Sequence, residues 1–208
     1  MLRFAVFASG EGTNLQSIID AVQKKEIHAD LVLVFSNRKK ANALKRAEAA
    51  GIETLHLNRK DYASPQSYER DIVIHLKEHR IDFLVTAGYM KLFTGFFVKQ
   101  YPNKIINVHP SLLPAFKGRR GIKDTFTYAA KLGGVTIHFV NEKMDNGPMI
   151  IQESIRIHEN ETLESFEARI HEVEHRVFPQ AIQMFALGRL KIKGRKVRIL
   201  DQPPRINQ

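Results

Sequence analysis

Short apolar runs alternate along the first half of the chain with longer stretches whose apolar residues recur at helical spacing. Residues 4–8 and 31–35 are apolar throughout, which marks strands buried on both faces. Residues 53–57, 81–87 and 104–108 read as three further strands. Between them, residues 13–25 place Leu15, Ile18, Ile19 and Val22 on one helical face, and residues 66–79 do the same with Ile72, Val73 and Leu76. Shorter helices are predicted at 41–50, stopped by Gly51, and at 93–101.

The second half changes character. A helix is expected at 123–132. Residues 135–140 and 150–157 then alternate more clearly, as antiparallel strands do. A long helix is expected at 163–187. The run Arg189 to Arg198 alternates basic and apolar residues, the pattern of a half-buried hairpin, and Pro203-Pro204 marks a loose tail. The fold class predicted is α/β: a Rossmann-like, mostly parallel sheet flanked by helices and extended by antiparallel strands in the C-terminal half. With no repeat, low-complexity segment or linker, residues 1–208 read as one domain, in two halves at 1–100 and 101–208.

Composition narrows the chemistry. Cysteine is absent, so disulfides and thiolate catalysis are excluded. No apolar run approaches the length of a membrane span, and the apolar start is too short for an export signal, so the expected location is cytoplasmic, with no membrane partner. The formal charge of +10 raises the question of nucleic acid. The basic residues are dispersed, however, which favours a field that draws in anionic small molecules.

Two stretches carry candidate chemistry. Ser9-Gly10-Glu11-Gly12-Thr13-Asn14 joins the first strand to the first helix. The free N–H groups of Gly12, Thr13 and Asn14 at a helix N-terminus suit a phosphate. The run is neither G-x-G-x-x-G nor a Walker loop, and Thr13 or Asn14 could equally cap the helix. In Asn107-Val108-His109-Pro110, Asn107 and His109 are two apart at a strand end, so both side chains face the same way. An amide donor and an imidazole at the C-terminal edge of an α/β sheet suit attack on a carbonyl. Asp145, in the turn Met144-Asp145-Asn146-Gly147-Pro148, could reach the same edge and favour the charged imidazole, or could serve only as a turn residue.

Taken together, these residues resemble the folate-dependent phosphoribosylglycinamide formyltransferases of purine synthesis. The resemblance covers nearly the whole chain. It rests on the Ser9 to Leu15 loop, Val34-Phe35-Ser36-Asn37, Ala87-Gly88-Tyr89-Met90, Asn107 through Pro114, Gly134 to Val140, Met144 to Pro148, and Glu174-His175. It implies that Gly12, Thr13 and Asn14, with Glu11 in the same loop, hold the substrate phosphate. It implies that Met90, Lys91, Leu92 and Phe93, with the loop Asn141, Glu142, Lys143, Met144 and Asp145, line the pterin pocket. Asn107, His109 and Asp145 would carry catalysis, and His171, Glu172, Val173 and Glu174 would face the glycinamide substrate. The implied co-substrate is 10-formyltetrahydrofolate, with no metal, and the chain would act as a monomer or homodimer on small molecules.

Two segments depart from the pattern. Some relatives place an arginine on the folate side near the position of Pro65, where only Arg59 and Lys60 are close in sequence. Gly118-Arg119-Arg120-Gly121 stands where relatives place histidine, and no substrate contact is assigned to it. His171-Glu172-Val173-Glu174-His175 also fits the zinc-protease pattern H-E-x-x-H, but no third ligand is marked downstream, so it is read as coincidence. His138 is expected near the site.

Three other readings stay open at this level. Hydrolysis of formyltetrahydrofolate uses similar residues in longer proteins with an added N-terminal domain. Formylation of methionyl-tRNA needs an added C-terminal domain. A non-catalytic module could bind nucleotide or nucleic acid through the positive surface.

Overall fold

The computed structural model describes residues 1–202; the Pro203-Pro204 tail lies outside them. Seven strands form one sheet in the order β3-β2-β1-β4-β5-β6-β7. They are β1 (Leu2–Phe7), β2 (Ala29–Ser36), β3 (Glu53–His56), β4 (Phe83–Thr86), β5 (Ile105–His109), β6 (Leu132–Phe139) and β7 (Met149–Arg156). The first five run parallel, whereas β6 and β7 are antiparallel additions. A separate antiparallel hairpin, β8 (Leu190–Lys193) with β9 (Lys196–Ile199), follows. This is the α/β architecture expected from the alternation of apolar runs and helical periods.

The apolar strands are two-sided because helices cover both faces. Along β1, Phe4 and Val6 point into one core and Ala5 and Phe7 into the other, all fully buried. The first core is closed by α1 (Thr13–Gln23), α2 (Asn42–Ala49) and α6 (Leu163–Ala186), through residues such as Ile18, Ala47, Phe166 and Phe178. The second is closed by α3 (Pro65–Glu78) and by aromatic stacking of Phe97, on α4 (Gly95–Gln100), with Phe93, their centroids 4.3 Å apart. Each large buried ring contributes about 1.5–3 kcal/mol in transfer terms.

One expected element is displaced. The helix placed at 123–132 is α5 (Gly121–Thr127), and β6 begins at Leu132. Ala129 has φ 58, so the chain leaves the helix by a left-handed residue that apolar spacing does not encode. Pro65 stands at the first position of α3, behind a capping box formed by Ser64 and Ser67.

Chain order creates the site. From β1 the chain moves to one side through β2 and β3, and then crosses back to place β4 against the other edge of β1. The loops leaving β1 and β4 therefore diverge, and an open cleft is left at their C-terminal ends.

Candidate active site

A cavity of about 590 Å³ occupies this switch point, a volume suited to a small-molecule ligand. Its walls bring together Asn14, Met90, Lys91, Leu92, Asn107, His109, Met144, Asp145, His171 and Glu174, which lie far apart in sequence.

Asn107 is held from two sides. Thr86, at the end of β4, donates its hydroxyl to Asn107 Oδ1 at 2.6 Å. On the other side Asn107 Nδ2 lies 3.0 Å from His138 Nε2. His138 Nδ1 is 2.9 Å from the Phe139 carbonyl and donates to it, so Nε2 is the acceptor for the Asn107 amide. Burial lowers the pKa of His138 below 6.5, which keeps the ring neutral and consistent with that role. Together the two partners fix which end of the Asn107 amide is nitrogen. Its second N–H remains for a ligand oxygen.

His109 is 4% exposed and sits on the same face of β5. Its Nε2 is 2.9 Å from the Phe116 carbonyl, so this nitrogen carries a proton and donates it. Nδ1 then faces Asp145 Oδ2 at 3.5 Å, and Asp145 Oδ1 is 3.8 Å from His138 Nε2. A proton on Nδ1 turns the contact with the carboxylate from repulsive to attractive. At 3.5 Å that proton stays available to a second acceptor.

Asp145 adopts a left-handed backbone with φ 45, which costs a non-glycine residue and is sustained by its surroundings. The Gly118 amide donates to Asp145 Oδ2 at 2.7 Å. Asn141 Nδ2 donates to the Asn146 carbonyl at 3.2 Å and so closes the β6–β7 loop on itself. Gly147 has no room for a side chain, since a Cβ there would lie 1.6 Å from the Phe139 carbonyl.

The other end of the cavity reaches the start of α1 through Asn14, whereas Gly12 and Thr13 are not among its lining residues. Gly12 is the cap of α1, in the left-handed conformation, and no side chain caps the helix. The capping role open to Thr13 or Asn14 is therefore not used. A Cβ on Gly12 would come 2.8 Å from Ala43 Cα, so glycine is needed where α2 passes the loop. Asn14 instead donates to Glu174 Oε2 at 2.9 Å, and His171 Nδ1 is 2.8 Å from the same oxygen. Glu174 is 3% exposed, and its hydrogen bond with His171 raises the imidazole pKa above 6.5.

Loops at the two ends are joined by a buried serine, the first residue of the glycine-bearing loop, to which the sequence reading assigned no role. Ser9 accepts from the Met90 N–H at 3.0 Å and donates to Asn37 Oδ1 at 2.6 Å. Beyond the loop, the buried carboxylate of Glu69 accepts from the Thr94 amide at 2.8 Å.

Several anticipated residues stand elsewhere. On α6, Val173 belongs to the core stripe with Ile170 and Val177, while Glu167, His171 and Glu174 form the cavity stripe; Glu172 is exposed. Phe93 stacks in the second core on Tyr89 and Phe97. Glu142 pairs with Lys99 at 3.8 Å, and Asn141 accepts from the Lys143 amide at 3.0 Å, so these three shape the loop rather than form cavity walls. Glu11 binds Asn42 and Arg46. Conversely, Arg119 and Arg120, given no contact above, do line the cavity, and Arg119 donates to the Met90 carbonyl at 3.1 Å. Pro65 does not line it.

In the H-E-x-x-H run, His171 Nδ1 is engaged by Glu174, and no group of three or more His, Cys, Asp or Glu side chains able to hold a metal occurs among the described residues. No helix among them is long and apolar enough to cross a membrane.

Comparison with known proteins gives the family. The formyl transferase family model matches residues 2–182. Phosphoribosylglycinamide formyltransferase of Bacillus subtilis is 39% identical over 196 residues, covering 94% of this chain and 100% of that protein. The human trifunctional purine biosynthetic protein adenosine-3 is 36% identical over 190 residues, 91% of this chain but 19% of that protein. The crystal structure of glycinamide ribonucleotide transformylase 1 from Symbiobacterium toebii superposes with a TM-score of 0.94 at 41% identity, covering 97% of this chain and 95% of that one. The chain belongs to the formyl transferase family, among its phosphoribosylglycinamide formyltransferases.

Proposed function

We propose that the cavity transfers the formyl group of 10-formyltetrahydrofolate to the amine of phosphoribosylglycinamide, through Asn107, His109 and Asp145. The observation that carries the residue assignment is the convergence of these three side chains on one cavity wall, with His109 Nδ1 3.5 Å from Asp145.

In this reading the phosphate lies against the N–H groups of Gly12, Thr13 and Asn14, where the helix dipole favours an anion. Glu174 and His171 meet the glycinamide portion. The folate ring enters along Met90 to Leu92 and the Asp145 loop. The amine attacks the formyl carbon and forms a C–N bond, which leaves a tetrahedral oxyanion. The free N–H of Asn107 and a proton on His109 Nδ1 stabilise that oxygen, with Asp145 orienting the imidazole and balancing its charge. One such donor is worth about 3–4 kcal/mol in the transition state. The intermediate collapses by breaking the bond between the formyl carbon and the folate nitrogen. The proton lost by the amine passes to that nitrogen through His109 or a water. No step calls for a metal.

The test is a single assay of folate release from 10-formyltetrahydrofolate, with and without phosphoribosylglycinamide. Release that depends on the nucleotide is expected. Equal release without it identifies a hydrolase and overturns the proposal.

A further inference from the structure

The C-terminal hairpin β8–β9 lies beyond residues 2–182, the part of the chain matched by the family model. Its apolar side, through Leu190, Ile192 and Val197, rests on the first core, and β9 lies along β7. That docking brings the hairpin turn to the loop that carries Asp145. Arg195, at the turn, donates to the Asn146 carbonyl at 2.9 Å. The same carbonyl accepts from Asn141, and the Asn146 side-chain oxygen accepts from Lys117 at 3.2 Å.

We propose that Arg195 is a positioning residue: the hairpin acts as a brace that holds the Asp145 loop in its reacting geometry. The loop needs such a brace for a stated reason. Asp145 sits in the left-handed region, which favours relaxation to another conformation. Its loop is exposed at Glu142 and Lys143, so the apolar core does little to fix it. What fixes it is a set of hydrogen bonds at Asn146 and Asp145, and Arg195 supplies the one from outside the two sheet-edge loops. A displacement near 1 Å at a reacting group can cost about 100-fold in rate. Loss of one partly redundant contact therefore gives a smaller effect, about three- to tenfold.

The inference rests on the catalytic role given to Asp145, and its test separates the two. Arg195→Ala and Arg195→Gln are compared with wild type in steady-state kinetics, in thermal melting and in amide hydrogen exchange of the ligand-free full chain. Asp145→Asn is run alongside. A kcat lower by about three- to tenfold is expected for both Arg195 variants. The KM for the nucleotide and the melting temperature should hold, and faster exchange should be confined to residues 141–147. Exchange unchanged there overturns the brace, while a large loss in Asp145→Asn leaves the catalytic reading standing. Faster loop exchange with unchanged kcat also overturns it; near-normal activity in Asp145→Asn would then place the fault in the role given to Asp145. Exchange raised across the whole sheet with a lower melting temperature shows a merely structural arginine and overturns the proposal as well.

Discussion

At the Asn107 end of the cavity the polar atoms belong to buried or half-buried side chains: Thr86 and His138 hold Asn107, the Phe116 carbonyl holds His109 Nε2, and Asp145 faces its Nδ1. At the α1 end the proposed phosphate donors are backbone N–H groups, and the residue that shapes the loop, Gly12, is there because nothing larger fits beside Ala43. In the proposed mechanism the first end stabilises charge that appears only during reaction, through donors that are already oriented. In the same proposal the second offers a fixed dipole to a phosphate charge that the substrate carries throughout. Damage to the first should therefore lower kcat, and damage to the second should raise KM.

The largest effect should come from Asn107→Ala, which removes the proposed oxyanion donor. We expect kcat to fall about 100- to 1,000-fold, with little change in the nucleotide KM, in steady-state assays. A rise in KM with kcat preserved would break the division between the two ends. Gly12→Val should do the reverse. A side chain at φ 75 meeting Ala43 must displace the loop, and we expect the nucleotide KM to rise about tenfold or more while kcat is largely retained. Its counterpart is the same assay with the folate varied, whose KM should move far less.

The smallest effect sharpens the comparison at their meeting point, Glu174. His171 titrates above 6.5 because Glu174 accepts its hydrogen bond. Their pairing therefore stabilises the fold fully below about pH 6.5, and that contribution is lost as pH rises through the raised value. Glu174→Gln should lower the His171 pKa, read from its ring protons by NMR. The stability deficit of the variant should be greatest just below pH 6.5 and shrink above the raised value. No movement of the His171 titration would remove the Glu174 contact from the account.

Much of the frame could be read from the chain because burial on two faces forces apolar runs, and helices on both faces force amphipathic spacing. Asn107 and His109 were visible for the same reason, since alternation along a strand fixes their common direction. The partners that give them meaning were not. Thr86 ends an otherwise apolar strand and carries no motif, and Ser9 reaches Met90 only through the strand crossover. On α6 the resemblance named four consecutive residues, but a helix turns 100° per residue. Only His171 and Glu174 of the four line the cavity. The arginines at 119 and 120 were passed over because their loop matches no pattern, and only the fold brings it beside Met90.

Asn107 and Asp145 should act on the same carbonyl, and their joint removal tests that claim most directly. Single-turnover rates are to be measured for Asn107→Ala, Asp145→Asn and the double variant. If both serve one oxyanion, the double variant will lose little more than the worse single one, as groups that work as a unit do. Losses that multiply in full would mean that the amide and the carboxylate act at separate places or steps, contrary to the site described.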